Sequence, residues 1–238
     1  MSKRRRMSRE ERERIETEIA VETCSDDPVP VLYELYRSTR GTDRFLIHRI
    51  LSEGKDLARE IIKELDNLAD KITEEIRKFA EKHDIITKLA IFGKLEYSLS
   101  EYNKVIEEIR TALDRRGRDF FIKPSTEEGW LHLWNRRRDY PTDEYRFAEI
   151  HLKPEENKFT ILYEGLIDAI PDIRCEAKEK CYDFWAYRVV NNPRALLEFL
   201  RRANPRNIFT CTTYQMVLEY RRTLRGLAEL LEEELRWH

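Results

Sequence analysis

The sequence predicts an α+β protein, predominantly helical, in which a small antiparallel sheet from about 119–164 is flanked by helices. Two observations carry this. Residues 55–81 and 213–236 both place apolar residues three and four apart, the period of a helix with one buried face. Between them, 145–150 and 159–163 alternate in polarity around Pro154-Glu155-Glu156-Asn157, which reads as a β-hairpin. The 238 residues are 41% apolar, enough for a real core and too apolar for a fully disordered chain.

Residues 1–7 are a basic tail, expected to be mobile. Ser8 and Glu11 form a capping box, with a helix to about Thr23 carrying Ile15 and Ile19 on one face. Ser25–Pro30 is a break. Val31, Leu32, Leu35 and Tyr36 then mark a helix that Gly41 ends. Over 55–81 the stripe is Ala58, Ile61, Leu65, Leu68, Ile72, Ile76 and Phe79, nearly a heptad with one stutter. At 1.5 Å per residue that helix is roughly 40 Å long. Leu57, Ile62, Ala69 and Ala80 widen the stripe, so more than one partner element packs on it.

Ile85–Phe92, an apolar run before Gly93, reads as a buried turn or short strand. Ser98 and Glu101 form a second capping box, before a helix with Val105, Ile106, Ile109 and Leu113 that stops at Gly117. Asp119–Lys123 reads as a strand ended by Pro124. Ser125 and Glu128 read as the cap of a short helix carrying Trp130, Leu131, Leu133 and Trp134. In the hairpin, Tyr145, Phe147 and Glu149 alternate with Arg146, Ala148 and Ile150. From Pro171 a helix is expected to about Val190, with Ile173, Ala177, Cys181, Phe184 and Trp185 at helical spacing. Another follows Asn192-Pro193 and ends at Asn204-Pro205. Thr212 and Gln215 cap the last, whose stripe is Val217, Tyr220, Leu224, Leu227 and Leu231. The chain thus divides into the tail, an N-terminal helical region (8–83), an α+β region with the hairpin (84–170) and a C-terminal helical region (171–238). The two long heptad-like helices are expected to pack together, within one chain or across a homodimer.

Several function classes fall away. No run of about 18 apolar residues exists to span a membrane, so no membrane partner is expected. Lys3–Arg6 is followed by a charged stretch rather than a signal-peptide core. Four cysteines without a CxxC pair do not make a disulfide framework, and a cytoplasmic location is expected. A single glutamine, Gln215, and few glycines among abundant charges suit a thermophile and dense ion pairing. Neither GxxxxGK[ST] nor GxGxxG occurs, so no nucleotide cofactor is expected. His48, His83, His132, His151 and His238 fit neither HxxxH nor HExxH, and Cys175 and Cys181 lie six apart, so no metal site is expected.

One constellation suggests hydrolysis. Asp168 precedes Glu176-Ala177-Lys178, an arrangement that resembles the metal-dependent nuclease superfamily named for its PD-(D/E)XK signature. The resemblance covers some 15 residues. It implies that Asp168 and Glu176 hold a divalent cation and that Lys178 orients the attacking water. The helical period at 173–185 opposes it, since it points Glu176 and Lys178 to different sides.

The other signal is basic. Arg136, Arg137 and Arg138 sit beside Trp134 and Tyr140. Between 194 and 225, Arg194, Arg201, Arg202, Arg206, Arg221, Arg222 and Arg225 face only Glu198 and Glu219, in a chain of formal net charge −2. Arginine beside aromatic rings suits phosphate contact and base stacking. The leading expectation is therefore a non-enzymatic nucleic-acid-binding or assembly protein that holds DNA or RNA by its phosphates. The metal-dependent nuclease is the alternative, and a helical protein–protein adaptor the second alternative.

Overall fold

In the computed structural model, residues 7–40, 45–125, 129–136, 146–153, 156–165, 180–209 and 212–237 are described. The fold is α+β and predominantly helical, with one small antiparallel sheet. The chain forms two compact units, one from 1–76 and 172–238 and one from 77–171. Among the described residues, no helix is long and apolar enough to cross a membrane.

The first unit is helical. It holds α1 (Arg9–Asp26), α2 (Val29–Arg40), α3 (Phe45–Ser52), most of α4 (Lys55–Glu81), α7 (Asp183–Val190), α8 (Pro193–Arg202) and α9 (Tyr214–Trp237). α1 packs on α7 and α8, while α2 packs on α7 and α9. Ser8 caps α1 by accepting from Glu11 N–H, as the sequence predicts. At the other end, Asn204 N–H donates to the Ser25 carbonyl (3.1 Å) and Asn207 Nδ2 to the Asp26 carbonyl (2.7 Å). Those are carbonyls that the last turn of α1 leaves without partners in the helix. The cap of α9 falls on Thr213, one residue later than expected; its hydroxyl accepts from Met216 N–H.

Both long stripes are buried. Ile61, Leu65, Leu68 and Ile72 on α4, and Val217, Leu224 and Leu231 on α9, are fully inaccessible. Within one chain, Arg225 on α9 pairs with Asp66 (3.7 Å) and Asp70 (2.6 Å) on α4.

The cysteine expectation needs correction. Cys24, in the last turns of α1, is bonded to Cys181, just ahead of α7, 157 residues away. Both are buried. Spacing carries no trace of the bridge because the two meet only through the packing of α1 against α7. α7 begins at Asp183, so Cys181 is not helical as the sequence suggests; 171–179 lies outside the described residues.

The second unit is a sheet with helices on one face. It holds α5 (Ile85–Phe92), β1 (Lys94–Ser98), α6 (Tyr102–Asp114), β2 (Asp119–Pro124), β3 (Trp130–Arg136), β4 (Arg146–Lys153) and β5 (Lys158–Tyr163). The strands are antiparallel, in the order β1-β5-β4-β3-β2. The sequence places the sheet correctly but misses β1, and the buried turn expected at 85–92 is the helix α5. Most of its residues are buried, so no polar face marks its period. Its ends were marked: Asp84 caps the start, and Gly93 stops it in the left-handed region at φ 70°. The helix expected at 130–134 is β3. Residues 130, 131, 133 and 134 satisfy a helical period, but 131 and 133 equally satisfy a strand with one face on a core, and the sheet decides. The core lies between α5, α6 and the sheet: Ile86, Leu89, Ile109 and Leu113 meet Leu133, Ala148, Ile150, Phe159 and Ile161.

Asp84 anchors this unit. Arg116 grips its carboxylate from Nη1 (2.5 Å) and Nη2 (3.0 Å), and Thr87 N–H donates to it (3.0 Å). Burial alone would raise this carboxyl, but the arginine and the helix start outweigh it and hold it below the usual aspartate range. A depressed folded-state value means stability that is present above the ordinary carboxylate range and lost as pH falls through the folded value. Asp84→Asn is expected to cost about 1–3 kcal/mol near neutrality and to flatten the acid limb of a stability–pH curve. Equal acid sensitivity in variant and parent would refute this.

Candidate functional site

Strand alternation sorts the sheet into two faces. Leu95, Tyr97, Ile122, Leu131, Ile150, Leu152, Phe159 and Ile161 serve the core under α5 and α6. The other face carries Phe121, Lys123, Trp130, His132, Trp134, Glu149, His151 and Thr160. Register places these directly opposite one another: Phe121 with Trp134, Lys123 with His132, His132 with Glu149, Trp130 with His151, and His151 with Thr160. Directly opposed side chains stand about 4.5–5.5 Å apart at Cβ, so each pair is in contact range.

Glu149 is the centre. It is only 8% exposed, and a buried carboxylate requires partners. Its Oε1 lies 3.2 Å from His132 Nδ1 and 2.8 Å from an Arg146 Nη1, and its Oε2 lies 3.2 Å from His151 Nε2. Arg146 Nε also donates to Glu164. Aromatic rings border the cluster. Trp130 lies against the His151 ring at 3.6 Å between centroids, Trp134 meets His132 edge-on at 6.2 Å, and Phe121 stacks on Trp134 at 6.3 Å. Lys123, exposed, stands 5.8 Å over the Trp134 ring. The Trp134 indole N–H is buried and has no acceptor among the described residues.

A bulge assembles this site. Leu133 pairs with Ala148, but Trp134 pairs with Arg146, so Phe147 is an extra residue in β4. A bulge shifts the alternation of faces by one residue. Phe147 and Ala148 therefore both enter the core, while Arg146 joins Glu149 on the opposite face. Strict alternation in the sequence put Arg146 with Ala148 and Ile150, and this is corrected. The signal that could have found the histidines is the two-residue spacing of Trp130, His132 and Trp134 and of Glu149 and His151. The HxxxH and HExxH patterns are spacings of a helix, and on neighbouring strands they carry no information about these residues. Among the described residues, no three His, Cys, Asp or Glu side chains gather as metal ligands.

The arginines singled out in the sequence are distributed differently. Arg194 pairs with Glu53, Arg206 with Glu75, Arg222 with Glu219, and Arg225 with Asp66 and Asp70. Arg201 reaches Glu60, Glu64 and Glu198. Most of these acids lie on α4, remote in sequence, which is why the local charge count of 194–225 overstates the positive field. Arg202 and Arg221 have no ion-pair partner among the described residues. Arg136 ends β3, with its side chain outside them, and Arg137, Arg138, Asp168, Glu176 and Lys178 lie wholly outside. In the helical unit, Tyr182, Phe184 and Tyr187 are about 60% exposed beside an open groove between α1, α2 and α7.

No family model, curated protein or solved structure matches the chain.

Proposed function

We infer that the chain binds single-stranded nucleic acid on the face of the sheet that carries Glu149. The observation that supports this is the combination of aromatic rings and cationic groups in one register-aligned patch. Trp130 and Phe121 offer stacking surfaces that suit any base, and the exposed Lys123 offers a cation for the backbone. The arginines of α8 and α9 serve this reading less well, because carboxylates of α4 already hold most of them. Those same ion pairs, with a disulfide, fit a thermophilic source, where intracellular disulfides do occur.

The test is fluorescence anisotropy with a labelled single strand and a labelled duplex at two salt concentrations. Affinity for the single strand is expected to fall with salt, by a log–log slope of about −0.7 per phosphate contacted. Trp130→Ala is expected to cost about 1–3 kcal/mol of binding, and Lys123→Glu to reduce the salt slope by about one phosphate. Arg221→Glu with Arg222→Glu is expected to leave binding intact. Loss of binding in that last variant, with Trp130→Ala unaffected, would return the site to the helices. The exposed Tyr182, Phe184 and Tyr187 favour a second reading, a helical adaptor for another protein.

A further inference from the structure

We propose that the Glu149 cluster is a proton switch on strand binding, in which protonation of His132 moves its hydrogen bond from Arg146 to Glu149 and raises the affinity for phosphate. The proposal rests on the binding reading above and deepens it.

The geometry that supports it is a three-way contact at one ring nitrogen. His132 Nδ1 lies 3.2 Å from Arg146 Nη1 and 3.2 Å from Glu149 Oε1. A guanidinium only donates and a carboxylate only accepts, so this nitrogen satisfies one of the two at a time. With Nδ1 bare, it accepts from Arg146, the ring proton sits on Nε2, and the lone pairs of Nδ1 and Oε1 face each other. With Nδ1 protonated, it donates to Glu149, and the Arg146 N–H that it held has lost its acceptor. His151 is held differently. Its Nε2 donates to Glu149 Oε2 (3.2 Å) in either state, so a proton taken at Nδ1 changes its charge and not its partner.

The surrounding charges give the sign. Arg146 and Glu149 on β4, Glu164 beyond the end of β5 and Lys123 opposite His132 on β2 stand around the two rings. Further along the same face, Lys94 on β1 pairs with Glu96, Lys153 on β4 pairs with Glu156, and Lys158 lies on β5. α5 and α6 pack on the opposite face. Lysine, arginine and carboxylate side chains ordinarily keep their charges across the range in which histidine changes its own.

With both imidazoles neutral, Glu149 and Glu164 outweigh Arg146, and a phosphate brought to the cluster meets net negative charge. A proton on His132 cancels that excess, and one on His151 reverses it. The swap at His132 adds a second effect of the same sign. Arg146, its side chain 30% exposed, then has an N–H to offer a phosphate oxygen. By linkage, a strand that favours the protonated cluster must take up protons as it binds.

The experiment uses the full chain and a labelled strand of deoxythymidines, whose bases gain no proton in the histidine range, at about pH 7.5 and about pH 5.5 and one ionic strength. Anisotropy is expected to show affinity about 3–10-fold tighter at the lower pH, the effect of one unit charge roughly 7 Å from a phosphate at a wet surface. His132→Gln is expected to lose most of that ratio, and His151→Gln to keep the larger part of it. Nitrogen-15 spectra of the imidazoles, with the His132 signals identified by their absence in His132→Gln, are expected to show Nε2 alone protonated at the higher pH and both nitrogens at the lower. Calorimetry of the parent in two buffers of different ionisation enthalpy is expected to find net proton uptake on binding. A neutral His132 with its proton on Nδ1 overturns the swap. Equal affinity at both pH values, a ratio that survives in His132→Gln, or binding without proton uptake also overturns the proposal and leaves the binding reading standing. Absence of binding at both pH values removes both.

Discussion

Replacement of Cys24 and Cys181 by alanine, or their reduction, is expected to lower the stability of the helical unit by about 2–5 kcal/mol. The bridge closes a loop of 157 residues. In the chain-entropy relation a loop of that length restricts the unfolded ensemble by about 5 kcal/mol at 25 °C, an upper figure because unfolded chains keep some structure. Both sulfurs are buried, so the alanine variant also loses packing. For a chain of this size the fall in melting temperature is on the order of 5–15 °C. Differential scanning calorimetry with and without reductant measures it, with thiol titration to show that the bridge has opened. An unchanged melting temperature with both thiols free would show that the bridge contributes nothing.

Leu65→Ala and Leu224→Ala are each expected to cost about 2–5 kcal/mol. Both side chains are fully buried, Leu65 in the α4 stripe and Leu224 in the α9 stripe. Truncation leaves a cavity as well as losing transfer energy, and the spread reflects how far neighbours can close in. The outward-facing Arg221→Ala, one turn before Leu224, is expected to change stability by less than about 0.5 kcal/mol and serves as the control. If the leucine variants melt with the parent in denaturant titrations, the heptad-like period of these helices does not report burial.

That period was legible because it is local. A helix with one buried face writes its spacing into its own sequence, and α4 emerges with the expected bounds, Lys55–Glu81. The site was not legible, for two physical reasons. His132 and Glu149 become neighbours only through strand register, a non-local property. Arg146 reaches them only because Phe147 is extra in its strand, and a bulge leaves no fixed mark in composition. The arginine-rich segment misleads for the mirror reason: Glu60, Glu64, Glu75, Asp66 and Asp70, which hold its charges, lie more than a hundred residues earlier. Asp84 lies between these cases. Its place before an apolar run and nine residues ahead of Gly93 marks a helix start, but nothing nearby announces Arg116.

The discontinuity of the helical unit has a consequence for synthesis on the ribosome. Its two halves, 1–76 and 172–238, are separated by the whole of the sheet unit. The sheet unit is continuous in sequence, so it is complete once residue 171 has left the exit tunnel. α1 to α4 must then wait for α7, α8 and α9, roughly 60 residues later, or about 3–12 s at 5–20 residues per second. During that interval α1 and α2 lack the faces of α7, α8 and α9 on which they pack, and Glu60, Asp66 and Asp70 of α4 lack the arginines that pair with them. A nascent chain arrested in that window should therefore be the form of this protein most dependent on chaperones.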